Sequence, residues 1–108
     1  MDNGIIFKRI DEGERLRVIV DGPLDTINAP VLEDELLQDA VVRKELVLDL
    51  EKVPYISSAG IRAILLLLKT IEGHGKMRLI NVSEEILEVL DTIGFLDILS
   101  IEEKPDNC

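Results

Sequence analysis

Two adjacent serines, Ser57 and Ser58, are the side chains whose position most strongly suggests chemistry. They follow a short apolar run and a turn, and they stand where a leucine-rich helix is predicted to begin. The first backbone N–H groups of a helix have no partner within the helix and carry partial positive charge, so this position attracts an anion. A hydroxyl there can cap the helix or carry a phosphate, and the residues taken alone favour the cap.

An enzyme with a serine nucleophile would need a base, and the sequence offers none. The single histidine, His74, lies between two glycines, where nothing in the sequence would hold it, and there is no Gly-x-Ser-x-Gly elbow. One histidine, the terminal Cys108 and no acid cluster at ligand spacing predict no metal site. A Gly-x-x-x-x-Gly-Lys phosphate loop is also missing. We therefore expect no catalytic residues and no cofactor, with His74 exposed in a loop.

Composition narrows the class of protein further. A chain of 108 residues with 46% hydrophobic content fits one domain, residues 1–108. A net charge of −10 and only 3% aromatic residues argue against a nucleic-acid partner, because such binding relies on cations and stacking platforms. The N-terminus does not resemble a signal peptide, and the apolar runs are too short to span a bilayer. We expect a cytoplasmic protein without direct membrane insertion; its oligomeric state stays open.

Hydrophobic periodicity predicts the elements that must position the serines. Alternating residues predict a hairpin over 5–11 and 15–21 with Gly13 in its turn. Short apolar runs predict further strands over 45–50, 77–80 and 98–101. Asn28 or Thr26 could cap a first helix, with Pro30 near its start. A second helix runs from the serine pair to about Thr70, and a third runs from the cap Ser83 to Gly94.

Each predicted helix has an apolar side for the core and a polar side for solvent. The first buries Val31, Leu32, Leu36 and Leu37 and turns Glu33, Asp34 and Glu35 mostly outwards. The second buries Ile61, Ile64, Leu65 and Leu68, and the third buries Ile86, Leu87, Leu90 and Ile93. Residues four apart share a face, so Ser58, Arg62, Leu66 and Lys69 form one stripe. This stripe is either an ordinary solvated face with one exposed leucine or a docking surface.

The order of these elements is β-β-α-β-α-β-α-β. Helices that separate the later strands call for parallel pairing, while the initial hairpin is antiparallel. The sequence therefore predicts an α/β fold with a mixed sheet covered by helices.

The motif Val-Leu-Asp-Leu-x-x-Val-x-Tyr-Ile-Ser-Ser-Ala-Gly-Ile-Arg, which ends at Arg62, resembles the STAS domains of bacterial anti-sigma factor antagonists. It is preceded by Gly-Pro-Leu-Asp-Thr, which ends at Thr26, and followed by an Ile-Gly-Phe turn that ends at Phe95. The resemblance covers nearly the whole chain. It implies a single STAS-like domain, a mixed β-sheet with helices packed mainly on one face.

The resemblance also implies a function. In this family a partner serine kinase phosphorylates the Ser before a small residue and Gly, which falls on Ser58. The unphosphorylated antagonist binds the kinase/anti-sigma factor and frees the sigma factor or another output; phosphorylation blocks that binding, and a PP2C-type phosphatase reverses it. Ser57 stands where many members have Asp and is a second candidate acceptor. The implied partner-binding residues are Asp25, Thr26, Ser57, Ala59, Gly60, Arg62 and Leu66.

Two other interpretations stay open at this point. Asp25, taken alone, is more typical of a turn or a helix cap than of a catalytic acid. Similar STAS domains also serve as scaffolds without phosphorylation, as subunits of lipid-transport complexes or as tails of anion transporters.

Overall fold

The described part of the chain forms five strands and three helices in the predicted order. The structure, a computed structural model, describes residues 4–94 and the backbone of residues 100–101. The elements are β1 (Ile6–Glu12), β2 (Arg15–Asp21), α1 (Ala29–Val42), β3 (Glu45–Lys52), α2 (Ser58–Ile71), β4 (Lys76–Ile80), α3 (Glu84–Thr92) and β5 (Ser100–Ile101). Of the strand predicted over 98–101, residues 98–99 lie outside the described residues.

The strands form one mixed sheet in the order β1-β2-β3-β4-β5. β1 and β2 are antiparallel and are joined at Gly13, whose φ of +79° suits the tight turn. The remaining neighbours are parallel, because a helix crosses between each pair. The predicted α/β architecture is confirmed.

The core lies between the sheet and the helices. Leu16, Val18 and Val20 alternate along β2 and are fully buried, as predicted. β3 is buried from Leu46 to Leu50, as expected of a strand in the middle of a sheet. All three helices contribute to this one hydrophobic cluster, so they pack on the same face of the sheet.

Three of the predicted core residues are exposed. Val31 and Leu37 are each 38% exposed on α1, which turns Leu32 and Leu36 inward instead. Apolar residues occur on more than one side of this helix, so their spacing does not single out the buried face. Ile93 is 46% exposed because α3 ends one residue before it, and its side chain has left the helical face.

Ion pairs join the end of α1 to the β1–β2 hairpin. The Arg43 guanidinium donates to Asp11 at 2.8 Å and to Asp39 at 3.2 Å, and Arg9 reaches Asp39 at 3.0 Å. The hydrogen bond from Arg43 lowers the pKa of the Asp11 carboxyl, and a backbone N–H from Gly13 adds to the effect. The pKa of Arg43 is raised in turn, chiefly by its hydrogen bond with Asp11.

Candidate functional site

Ser57 is the N-cap of α2. Its backbone is extended, with φ −99° and ψ 174°, and its Oγ accepts a hydrogen bond from the Gly60 N–H at 3.2 Å. The same hydroxyl donates to the carbonyl oxygen of Leu24 at 3.2 Å. Both the donor and the acceptor capacity of this side chain are therefore used inside the protein.

Ser58 is the first residue within α2, and its side chain is exposed. In residues 4–94 its hydroxyl has no hydrogen-bond partner. The first turn of α2 carries no acidic residue, so no carboxylate there competes for the unpaired N–H groups of the helix. The two adjacent serines thus differ: one hydroxyl is engaged in the fold and the other is free at the positive end of a helix dipole.

The loop before α1 is organised by Asp25. The Asp25 carboxylate accepts a hydrogen bond from the Asn28 N–H at 2.8 Å, and its carbonyl oxygen accepts from the Ala29 N–H at 2.9 Å. Asn28 occupies the N-cap position but makes no side-chain cap; its amide donates to the Pro23 carbonyl oxygen at 2.9 Å instead. Asn28, one of the two predicted residues, thus occupies the cap position, but its side chain does not cap the helix; the Asp25 carboxylate instead closes the turn that leads into α1.

Backbone hydrogen bonds join this loop to the turn before α2. The Leu24 N–H donates to the Tyr55 carbonyl oxygen at 3.1 Å, and the Ser57 N–H donates to the Leu24 carbonyl oxygen at 2.9 Å. Leu24 and Ile56 form an isolated parallel bridge, which we call the loop bridge. The bridge brings the loop of Asp25 and Thr26 to the start of α2.

Gly60 permits this close approach. A Cβ at residue 60 would lie 2.9 Å from both the Leu24 Cβ and the Ile56 Cγ1, and it would contact the Leu24 carbonyl oxygen more closely still. Gly60 is also buried, whereas Ala59 is partly exposed. The contribution of Gly60 to a partner surface is therefore indirect, because the absence of a side chain lets the two loops meet.

The exposed side of α2 carries the predicted stripe. Ser58, Arg62 and Lys69 are exposed, and Leu66 is 40% exposed. On the opposite side Ile61 and Ile64 are buried, and Leu65 and Leu68 are partly buried. The orientation predicted from the spacing is confirmed.

Two exposed apolar side chains near the loop bridge were not singled out from the sequence. Tyr55 precedes the bridge residue Ile56 and is 52% exposed, and Ile27 lies in the loop of Asp25 and Thr26. The sequence feature that could have indicated this surface is Tyr55 itself, because it is the single tyrosine of the chain and stands in a turn. A large exposed aromatic beside a polar loop is typical of a binding surface.

His74 lies at the far end of α2 from the serines. The helix has 14 residues, so the two ends are about 20 Å apart. His74 is exposed as predicted, but its ring does have a partner, since Nε2 lies 2.9 Å from the carbonyl oxygen of Ala40. The expectation that nothing would hold this side chain is wrong, and the distance places it beyond reach of Ser58 as a base.

In residues 4–94, no three side chains of the His, Cys, Asp or Glu type come together as metal ligands would. Among the helices in the same part of the chain, none has the length and apolar character that crossing a membrane requires.

Fold and site together are those of a small α/β domain with an exposed serine at a helix start. The chain belongs to the STAS domain family, whose model matches residues 8–108. The anti-sigma-B factor antagonist of Bacillus subtilis strain 168 is 29% identical over 92 residues, which cover 84% of each chain. BtrV of Bordetella bronchiseptica, named as a candidate anti-sigma factor antagonist, is 37% identical over 82 residues, which cover 74% of this chain and 71% of BtrV.

Solved structures share the fold. An anti-sigma factor antagonist from Mycobacterium paratuberculosis superposes with a TM-score of 0.82 at 19% identity, covering 95% of this chain and 89% of that one. The Bacillus cell fate determinant SpoIIAA in its phosphorylated form has a TM-score of 0.70 at 16% identity, covering 92% and 93%. A sulfate transporter family protein from Wolinella succinogenes has a TM-score of 0.71 at 23% identity, covering 84% and 75%.

Proposed function

We propose that this protein is an anti-sigma factor antagonist controlled by phosphorylation of Ser58. In its unphosphorylated form it binds a serine kinase/anti-sigma factor and so releases a sigma factor or another output. Phosphorylation blocks the binding, and a PP2C-type phosphatase restores it. The observation that carries the proposal is the exposed, unpartnered Ser58 hydroxyl at the start of α2, in a chain whose relatives are named as such antagonists.

The difference between the two serines supports Ser58 as the acceptor. A phosphate on Ser57 would remove the proton that this hydroxyl donates to the Leu24 carbonyl oxygen and would place negative charge against that oxygen, where the two loops meet. A phosphate on Ser58 disturbs no contact among residues 4–94 and lies beside unpaired N–H groups. Ser57, the alternative acceptor, is better explained as a structural residue.

The phosphate is expected to act on the partner and leave the fold intact. Negative charge at a helix N-terminus is stabilising, and the first turn of α2 has no acidic residue to oppose it. A hundredfold loss of affinity corresponds to about 2.8 kcal/mol. A doubly charged group pressed against a partner surface without a cation can supply that amount.

The partner-binding surface combines α2 with the loop before α1. Arg62 and Leu66 are exposed and can contact a partner directly, as can Thr26. Asp25 is partly buried and holds the loop in shape through its hydrogen bond to Asn28. Leu66 offers apolar area and Arg62 offers a charge that complements an acidic partner residue.

Phosphate mapping tests the proposal directly. The protein is incubated with its cognate serine kinase and ATP, and the phosphate is located by mass spectrometry before and after treatment with a PP2C-type phosphatase. We expect one phosphate on Ser58, its loss in Ser58→Ala, and its retention in the matched variant Ser57→Ala. Ser58→Asp should also weaken kinase binding without loss of fold. Absence of phosphate from Ser58 in the wild-type chain would refute the proposal.

A scaffold role in a lipid or anion transport system is the second candidate. Its support is the likeness to the Wolinella sulfate transporter family protein, which at 23% identity concerns the fold alone. Affinity purification from a cytoplasmic extract separates the two roles. We expect recovery of a kinase with wild-type protein and not with Ser58→Asp; recovery of a permease and an ATPase with both would favour the scaffold. We propose no enzymatic activity for either role.

A further inference from the structure

The face of the sheet opposite the three described helices carries a second cluster of charged side chains. Strand residues alternate between faces, and Arg17 pairs with Val47, which pairs with Arg78, so these three lie in one row across β2, β3 and β4. This row forms part of a cavity of about 290 Å³, which we call the arginine basin. The residues that line it are Glu12, Arg15, Arg17, Val47, Arg78 and Ile80.

Carboxylates hold two of the three arginines of the basin in place. Arg78 Nε donates to Glu45 Oε2 at 2.9 Å, and Arg15 Nε donates to Glu12 Oε1 at 2.8 Å. Glu45 also lies 3.8 Å from Arg15. The residues that line the basin include three arginines and one glutamate, although the chain as a whole has a net charge of −10. The basin is therefore a local exception in an acidic protein.

Arg17 is the arginine of the basin without a partner. Its Nε is buried, and it has no hydrogen bond to any of residues 4–94. A buried donor without an acceptor is destabilising, and a ligand oxygen that meets this Nε once the side chain turns toward the cavity would relieve that cost. Guanidinium groups match phosphate oxygens in geometry and charge.

Apolar surface adjoins these donors. Val47 forms the middle of the row, between Arg17 and Arg78, and is only 2% exposed. Ile80 is partly exposed and lines the same cavity. The volume of the basin lies close to the lower limit of small-molecule sites, about 300 Å³. The basin is therefore larger than a phosphate group alone would need.

We propose that the arginine basin binds a small organic phosphate. The phosphate accepts hydrogen bonds from Arg17, with Arg15 and Arg78 adding charge, and the organic part contacts Val47 and Ile80. The helices, α2 among them, cover the other face of the sheet, so the site does not depend on Ser58.

Nuclear magnetic resonance can observe the Arg17 Nε–H directly. The full chain is titrated with adenosine monophosphate and with inorganic phosphate, and adenosine and citrate serve as comparison ligands. We expect a saturable shift of the Arg17 Nε–H resonance with both phosphates, tighter binding of the nucleotide, and no saturable shift with adenosine. Citrate, a carboxylate anion, should bind more weakly than the nucleotide.

Variants separate a built site from general charge attraction. Arg17→Gln should weaken nucleotide binding by about tenfold or more. Lys8→Gln removes one cation from the same face of the sheet but outside the basin, and it should leave the affinity nearly unchanged. If Arg17→Gln does not fold, as judged by circular dichroism, Arg15→Gln takes its place. The proposal is overturned if neither phosphate shifts the Arg17 resonance saturably, if citrate binds as tightly as the nucleotide, or if the basin variant and Lys8→Gln lose affinity equally.

Discussion

Replacement of Ser57 by alanine should destabilise the fold far more than the same replacement of Ser58. The Ser57 hydroxyl caps α2 through Gly60, and loss of an N-cap costs about 1 kcal/mol. The same hydroxyl donates to Leu24, and loss of that hydrogen bond costs about 1 kcal/mol more. Together they predict a decrease of about 2 kcal/mol in the free energy of unfolding. Ser58→Ala removes no such contact and should change it by less than about 0.5 kcal/mol.

Urea denaturation followed by circular dichroism measures these differences. Ser83→Ala is the matched control: Ser83 caps α3 through the Ile86 N–H at 3.2 Å, but its hydroxyl has no second bond to a distant loop among residues 4–94. We expect Ser83→Ala to lower the free energy of unfolding by about 1 kcal/mol, which is half the decrease expected for Ser57→Ala. For a chain of this length, about 2 kcal/mol corresponds to a melting temperature lower by about 9 °C.

Two results would refute this reasoning. If Ser58→Ala destabilises as much as Ser57→Ala, the division of the serines into a structural and a free residue is wrong. If Ser57→Ala costs no more than Ser83→Ala, the hydrogen bond to Leu24 contributes nothing to stability. Either result would also weaken the structural argument for Ser58 as the phosphate acceptor.

Three further predictions concern other parts of the molecule. Gly60→Ala would press a methyl group against the Leu24 carbonyl oxygen and should lower the free energy of unfolding, measured by urea titration, by about 1–3 kcal/mol. An unchanged urea midpoint would contradict the close approach of Gly60 to the loop before α1. Arg43 lowers the pKa of Asp11 in the folded state, so the Asp11 carboxylate stabilises the fold above its ordinary pKa of 3.8 and loses that effect as the pH falls below it. Asp11→Asn should therefore be less stable than wild type at pH 7, and the difference in free energy of unfolding between the two proteins should disappear as the pH is lowered. Leu67→Ala, at a fully buried position, should cost about 2–5 kcal/mol, whereas Leu66→Ala should leave stability nearly unchanged and weaken kinase binding in calorimetry.

The sequence is sufficient to predict the elements whose apolar pattern has a single explanation. Alternation of Leu16, Val18 and Val20 fits only a strand with one buried face, and the apolar run of β3 fits a central strand. The start of α2 follows from capping chemistry that is local to the chain. α1 is different, because its apolar residues surround the helix, and only packing against the sheet decides that Val31 and Leu37 face solvent.

The site could be located from the sequence, but the distinction between its two serines could not be derived there. That distinction depends on the Leu24 carbonyl oxygen, which is 33 residues from Ser57 along the chain. The Asp25 carboxylate likewise closes the turn before α1 because of the path of the loop, and no propensity predicts that the Asn28 side chain turns to the Pro23 carbonyl oxygen. The arginine basin is also non-local, since it combines residues of four strands.

The loop bridge has a consequence for the speed of recognition. The hydrogen bonds between Leu24, Tyr55 and Ser57 already fix the backbone of both loops, so a partner need not order them during association. Little conformational entropy is lost on docking, and the encounter rate depends mainly on diffusion and charge. A phosphate added to so rigid a surface cannot be accommodated by loop movement, and it should therefore shorten the lifetime of the complex more than it slows its formation.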